Sequence, residues 1–156
     1  MASVTVLGVD SLIHKLDNIS KTEQVKQTMN KAVLLVQGQA KSLAPVDTGN
    51  LRGSIHPKVI TEGRKIIGKV YTNLNYAPFV EFGTGIKGSG TYPNSKVSLT
   101  YRSTPWVYTP DGGETFYRTE GQVAKPFMYP ALKQNEKKIK RMFKTALHTD
   151  LKRNCK

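Results

Sequence analysis

The chain has 156 residues, of which 38% are hydrophobic, and its 24 basic against 11 acidic residues give a formal net charge of +13. A single cysteine excludes a disulfide scaffold, and three scattered histidines without thiolate partners exclude a structural zinc module. The longest apolar run, residues 32–36, argues against a transmembrane protein, and the first residues lack the features of a secretory signal. We therefore expect the chain in a reducing cytoplasm or in a particle assembled there.

The N-terminal third predicts a short strand and two helices. The side chains of residues 3–9 alternate in polarity as in a strand, and residues 12–19 are predicted to form a short helix. Ser20 and Glu23 match a capping box, in which each side chain satisfies a backbone N–H at the start of a helix. Apolar residues at steps of three and four then predict a helix of about 22 residues that ends at Pro45. The stripe consists of Val25, Met29, Ala32, Val36, Ala40 and Leu43.

The middle of the chain predicts a hairpin followed by a short helix. Residues 54–61 and 65–72 have the pattern of two strands joined by a turn, and Pro57 places the first strand at a sheet edge or a bulge. Residues 76–82 are apolar apart from one glutamate. Because Gly83 follows them, they are typical of one or two helical turns that end at a glycine.

Residues 83–125 contain seven of the 13 glycines, and we interpret residues 85–124 as a long glycine-rich loop or hairpin extension outside the core. Within this segment, residues 106–109 and 114–117 predict the two strands of a hairpin. The connection Pro110-Asp-Gly-Gly113 favours a turn, because proline fixes one φ angle and the glycines accept positive ones.

The last helix is predicted to begin near Pro130, since proline is tolerated in a first turn. Its apolar stripe consists of Leu132, Ile139, Phe143, Ala146 or Leu147, and Leu151. Nine basic residues and two acids give the last 24 residues a charge of +7, more than half of the total. Such a face suits a polyanion or an acidic protein surface, although a solvated helix face explains it as well. The basic residues are Lys133, Lys137, Lys138, Lys140, Arg141, Lys144, Lys152, Arg153 and Lys156.

Three features suggest an enzyme only when each is taken in isolation. Asp47-Thr-Gly49 matches the aspartic protease motif but follows a helix rather than a strand, so we interpret Asp47 or Thr48 as the cap of a short turn. Gly83-Thr-Gly-Ile-Lys-Gly88 has the spacing of a dinucleotide loop without the helix that such a site needs. Cys155 has no activating neighbour in the sequence. We expect no enzymatic activity, no cofactor and no metal site.

Three segments occur in a fixed order, with a long helix before the first and another after the third. They are Ala44-Pro-Val-Asp-Thr-Gly-Asn-Leu-Arg-Gly-Ser-Ile55, Tyr76-Ala-Pro-Phe-Val-Glu-Phe-Gly-Thr84 and Lys125-Pro-Phe-Met-Tyr-Pro-Ala-Leu132. This ordered set resembles the small neck or tail-completion proteins of long-tailed bacteriophages, also described as head–tail connectors and tail components. The shortest members run almost directly from the second segment to the third, whereas residues 85–124 intervene here.

The predicted elements and the resemblance together imply one α+β domain over residues 1–156. A small antiparallel sheet is packed by a long N-terminal helix and a C-terminal helix, and the loop or hairpin at 85–124 extends from it. The resemblance implies a structural virion protein, assembled in the host cytoplasm without contact to a membrane. Copies would form a ring, a hexamer or dodecamer, at the head–tail junction around the DNA channel. Its neighbours would be a head-closure protein and a tail terminator or tail tube protein.

Two alternatives stay open beside this interpretation. A second structural possibility is a tail terminator that caps the tail tube. An alternative of another class is a basic nucleic-acid-binding protein, suggested by the charge of +13. Against that class, the aromatic residues of the loop are not interleaved with the basic helix, as a stacking platform for bases requires.

The resemblance assigns structural positions to the residues of the three segments, with packing favoured over direct partner contact. These are Asp47, Thr48, Gly49, Leu51, Arg52, Tyr76, Ala77, Val80, Glu81, Gly83, Thr84, Pro126, Phe127, Pro130 and Leu132. Among them, Glu81 is a candidate to pair with Arg52. The candidates for partner contact are Trp106, Tyr108, Phe116, Tyr117, Lys137, Lys138, Lys140 and Arg141. For the basic helix we favour an acidic protein face over DNA, because a ring of lysines would grip DNA that has to slide.

Overall fold

A computed structural model of the chain describes residues 23–63, 65–109 and 112–154, so the predicted strand at 3–9, the helix at 12–19, Ser20 and Cys155 lie outside the described residues. The described elements form an α+β fold, as the sequence predicts. In chain order they are α1 (Glu23–Leu43), α2 (Asn50–Gly53), β1 (His56–Glu62), β2 (Lys65–Tyr71), α3 (Ala77–Phe82), α4 (Gly85–Gly88), β3 (Trp106–Tyr108), β4 (Tyr117–Thr119), β5 (Gly121–Gln122) and α5 (Met128–Asn154).

Four of the strands form two separate two-stranded sheets, while the residues of β5 form bridges with Thr84 and Gly85. In the first, β1 and β2 lie within two residues of their predicted bounds, and a connection this short can join only antiparallel neighbours. In the second, β3 pairs antiparallel with β4, with Trp106 opposite Thr119 and Tyr108 opposite Tyr117. The second strand of this hairpin therefore begins at Tyr117, three residues later than the sequence predicts.

The chain divides into two compact units. One takes in the described residues up to Val36, Pro57–Val70 and those from Asn135 onward. Its apolar core includes Val33 and Val36, and Gly68 lets β2 approach α1 closely. A Cβ added at Gly68 would lie 2.5 Å from Val33 Cγ1 and 2.6 Å from Met29 Sδ, so a larger residue here would force these side chains to move.

The other unit comprises Gln37–His56 and Tyr71–Gln134. Its fully buried large side chains are Ile55 and Phe127, and several alanines of the same unit are buried as well. Gln37 Nε2 donates to the carbonyl oxygen of Ile55 at 2.8 Å, which ties the second half of α1 to the segment after α2. Three of the buried alanines are Ala40, Ala77 and Ala131.

The C-terminal helix α5 is confirmed, but the apolar stripe predicted for it is partly wrong. Ala146 is buried as expected, whereas Leu132 and Leu151 are 54% and 41% exposed. The buried side runs instead through Ala131, Ala146 and Asp150. Ile139 and Phe143 are half-buried, so the middle of the predicted stripe fits, whereas Leu132 and Leu151 at its two ends do not.

Candidate assembly interface

Glu81 joins two of the three sequence segments by a cluster of hydrogen bonds. Its side chain is only 5% exposed, and it lies one turn after the buried Ala77 on α3. Oε2 accepts from the backbone N–H groups of Phe127 at 2.7 Å and Met128 at 2.9 Å, and Oε1 accepts from Tyr129 at 3.0 Å. A carboxylate at this position satisfies donors that a helix start leaves unpaired and complements the helix dipole. Glu81 therefore caps α5.

This cap replaces the ion pair with Arg52 that the sequence suggested, and that pairing is wrong. Both oxygens of Glu81 are engaged inside the fold, whereas Arg52 is exposed on α2. Pro130 fits the same arrangement, because it lies in the first turn of α5 and has no N–H that would need an acceptor. Two segments separated by more than 40 positions in the chain are thus explained by one interaction.

Tyr92 lies beside this cap and belongs to the intervening loop. Its ring packs edge-on against Phe82, with centroids 4.9 Å apart, and against Tyr129 at 5.8 Å. Its hydroxyl donates to Glu81 Oε1 at 3.5 Å. Burial raises the pKa of Tyr92 to about 12, and the negative charge of Glu81 acts in the same direction. The loop therefore contributes a side chain to the junction between α3 and α5.

The glycines of the Gly-x-Gly-x-x-Gly motif serve close backbone packing. Gly83 has a φ of 76° and ends α3, and a Cβ placed there would lie 2.7 Å from the backbone nitrogen of Ala124. Gly85 has a φ of 62° and pairs with Gly121 in an antiparallel bridge. A Cβ on Gly88 would lie 2.8 Å from the backbone of Gly83. The two ends of the 85–124 segment are thereby held against each other.

Further hydrogen bonds fix parts of the same segment. The hydroxyl of Tyr101 donates to the carbonyl oxygen of Phe82 at 2.9 Å. Thr91 donates to the carbonyl oxygen of Gly88 at 2.7 Å and accepts from the N–H of Ala124 at 3.0 Å. These contacts anchor residues 88–101 to the turn around α3.

The segment that begins at Asp47 is placed differently from its prediction. Gly49, with a φ of 83°, is the residue that precedes α2, and no side chain caps this helix. The cap predicted for Asp47 or Thr48 is therefore wrong, and both side chains are exposed. Leu51 is buried, which fits the packing role that the resemblance implied. The glycine allows the sharp reversal after Pro45 because it adopts a positive φ at little cost.

The remaining motif residues divide between the interior and the surface. Phe127 is 1% exposed, and Ala77 and Gly83 are buried as well. Val80, Thr84, Pro126 and Pro130 are half-buried. Tyr76 is exposed at the start of α3, and Leu132 is exposed on α5.

The hairpin of β3 and β4 carries the four aromatic candidates for partner contact. We call residues 106–120 the arm. Trp106 at its base is half-buried, lies close to Gly85 and has the guanidinium carbon of Arg102 5.5 Å from its ring centroid. Tyr108 and Tyr117 form a cross-strand pair with centroids 5.8 Å apart, and both are exposed. Phe116 is 70% exposed. The arm is therefore anchored at its base and presents apolar side chains beyond it.

The basic candidates lie on α5, and all of them are exposed: Lys137, Lys138, Lys140 and Arg141. Lys133 and Lys144 are exposed too. We call Lys133, Lys137, Lys140, Arg141 and Lys144 the basic face, because steps of three and four residues place them on one side of the helix. Lys138 lies about 100° around the helix from Lys137.

The two acids in this part of the chain reduce the charge of the basic face very little. Glu136 is within 2.7 Å of Lys140, an i,i+4 ion pair at the edge of the face. Asp150 is on the buried side of α5. Lys137, Arg141 and Lys144 therefore form a positive strip toward solvent.

The described residues offer neither a metal site nor a membrane span. They contain no group of three or more histidine, cysteine, aspartate or glutamate side chains placed to hold a metal ion. Of the helices that the structure describes, none combines the length and apolar character needed to cross a membrane.

The described residues thus combine an aromatic arm and a basic face on α5, both of them exposed. Residues 10–83 match the protein family described as "Bacteriophage HK97-gp10, putative tail-component". The resemblance to phage tail components is thereby confirmed, and a structural role in the virion is supported. Comparisons with curated proteins and with solved structures gave no match.

Sequence reasoning identified the segments that converge at Glu81 but not the interaction that joins them. The available signal was a single acid in an otherwise apolar run, residues 76–82, which is unusual for a residue that becomes buried. Tyr92, Thr91 and Gly121 were not singled out, since their partners are distant in the chain.

Proposed function

We propose that the chain is a non-enzymatic structural protein that forms a ring at the head–tail junction of a phage, in the neck or upper tail. The ring would join the DNA-filled capsid to the tail, with DNA passing through its centre. A head-closure protein would bind one side, and a tail terminator or tail tube protein the other. The family match supports the structural virion role, and the surface of the molecule supports the assembly.

The observation that supports assembly is the number of exposed apolar side chains compared with the number of buried ones. Among the described residues, 15 larger apolar side chains are exposed, while five are buried together with seven alanines. Scattered exposed apolar residues are normal, but four of these side chains lie together on the arm and three lie on α5. Neighbouring subunits that cover these side chains would account for it, as the apolar centres of protein interfaces do.

A nonsense mutation in the gene for this chain tests the proposal. We expect DNA-filled heads beside separate tails of normal length in electron micrographs of lysates, and a plasmid copy of the gene should restore infectious particles. Tails of irregular length would instead assign the chain to tail termination. Intact virions in the absence of the chain would contradict a structural role altogether.

A further inference from the structure

The arm differs in charge from the rest of the molecule. Residues 106–120 contain three acids, Asp111, Glu114 and Glu120, and one basic residue, Arg118, so their net charge is 1 − 3 = −2 in a chain of +13. Glu114 and Glu120 are exposed in the structure. The acids accompany the exposed Phe116, so the arm offers both carboxylates and an aromatic side chain.

The hairpin of the arm also gains little stability from its own two strands. Its sheet has only two strands, and an isolated two-stranded hairpin is marginally stable in water. Val107 is 58% exposed on β3. A partner that covers these apolar side chains would stabilise the hairpin in the conformation that it has here.

The basic face of α5 offers the complementary chemistry. Lys137, Arg141 and Lys144 follow one another along the solvent side. Leu147 and Leu151 continue the same side at steps of three and four residues, and both are exposed. Positive side chains followed by two exposed leucines on α5 are complementary to the carboxylates and aromatic rings of the arm.

We propose that the arm of one copy docks on the basic face of α5 in a second copy. Glu114 and Glu120 would meet the strip of Lys137, Arg141 and Lys144, and the aromatic side chains would cover the exposed leucines. A second copy suits both surfaces at once, whereas a nucleic acid would bring its phosphates toward the acids of the arm. The inference rests on the proposed ring and names the contact that would build it.

This contact joins two different surfaces of the same chain. Such a heterologous contact repeats from copy to copy and closes into a ring when the rotation between copies allows it. Acidic and basic surfaces on one chain also favour the correct contact, because pairing two arms or two basic faces would bring like charges together.

Charge reversal in two separate variants tests the contact in cells infected with phage that lacks this gene. Glu114→Lys/Glu120→Lys is the arm variant, and Lys137→Glu/Lys144→Glu is the helix variant. Each variant alone brings like charges together at every copy-to-copy contact, so we expect it to restore about a hundredfold fewer infectious particles than the wild type, or none. Supplied together, the two variants can alternate around a ring with opposite charges at each contact, and we expect titres to recover.

Charge-matched variants elsewhere serve as controls. Lys26→Glu/Lys31→Glu changes exposed lysines of α1, and Glu23→Lys/Glu62→Lys changes exposed acids away from the arm. Both should restore infectious particles by themselves. Circular dichroism of each purified variant checks that a loss of titre does not reflect unfolding.

The outcomes separate this contact from the proposed function. If the wild-type gene restores particles and each reversal variant does so too, the contact is wrong while the structural role stands. If both variants fail and their mixture also fails although each is folded, the partner of at least one surface is another molecule, and the contact is again wrong. If phage without the gene assembles normally, the proposed function itself has failed.

Discussion

At the scale of single residues, Glu81 has the greatest effect on the fold. It brings a carboxylate to the start of α5 from a position 46 residues earlier than Phe127, its first partner. A local cap would need a polar residue next to the helix, but Phe127 fills that position and is buried. At the start of α5, Phe127 thus packs in the core, and Glu81 accepts the hydrogen bonds of the backbone N–H groups there.

Glu81→Ala should lower the free energy of unfolding by about 2–4 kcal/mol, because it removes a helix cap and leaves buried N–H groups without acceptors. Glu81→Gln keeps the volume and one acceptor oxygen, so it should recover part of this loss. Urea denaturation followed by circular dichroism measures both. Glu62→Ala, which removes an exposed acid, is the control and should change stability by about 0.5 kcal/mol or less. Equal effects at Glu81 and Glu62 would contradict the cap.

Tyr92 gives the fold a dependence on alkaline pH. Because its pKa rises from 10.0 to about 12 in the folded chain, the folded state binds more protons than the unfolded state between these values. The free energy of unfolding should therefore fall as pH rises through this window, and the contribution is fully present below it.

Tyr92→Phe tests this dependence, because it removes the hydroxyl and keeps the ring between Phe82 and Tyr129. We expect the urea midpoint of the wild type to fall more between about pH 9 and about pH 11 than that of the variant. Tyr76→Phe, which removes an exposed phenol, should behave as the wild type does. The same decline in wild type and Tyr92→Phe would show that Tyr92 does not contribute.

At the scale of elements, the glycines around α3 and α4 determine how the chain returns from the arm. Gly83→Ala should destabilise the protein by about 2–4 kcal/mol, since a positive φ and close backbone contacts both oppose a Cβ. Gly90 has a similar φ of 73° but open space around it, so Gly90→Ala should cost only about 1 kcal/mol. Thermal unfolding of the two variants makes the comparison. Similar losses would mean that the crowding at Gly83 is relieved by a small shift of the backbone.

Elements with strong periodicity or a clear stop signal were predictable from the sequence. The stripe from Val25 to Leu43 and Pro45 defined α1, and Gly83 marked the end of α3. The buried side of α5 was predictable only in part, because Ala146 is buried as expected while Leu132 and Leu151 are exposed. The cap of α5 was beyond local reasoning, since it depends on which distant acid the fold brings to the helix start.

At the scale of the whole molecule, the division between a small core and a large apolar surface favours function in an assembly. The described core contains five larger apolar side chains, of which Ile55 and Phe127 are the largest fully buried ones. The arm and the basic face of α5 carry opposite charges, so copies of one chain are able to complement one another. The sequence predicted both surfaces as candidates for partner contact. That their opposite charges lie on exposed residues is known only from the structure.

The location of the chain in the virion is the central claim, and cryo-electron microscopy of intact phage particles tests it most directly. We expect a ring of copies at the head–tail junction, with α1 and α5 recognisable in each subunit and the arm of each copy in contact with its neighbour. Density for the neck and upper tail that is filled entirely by other proteins, with no ring of this chain, would contradict it.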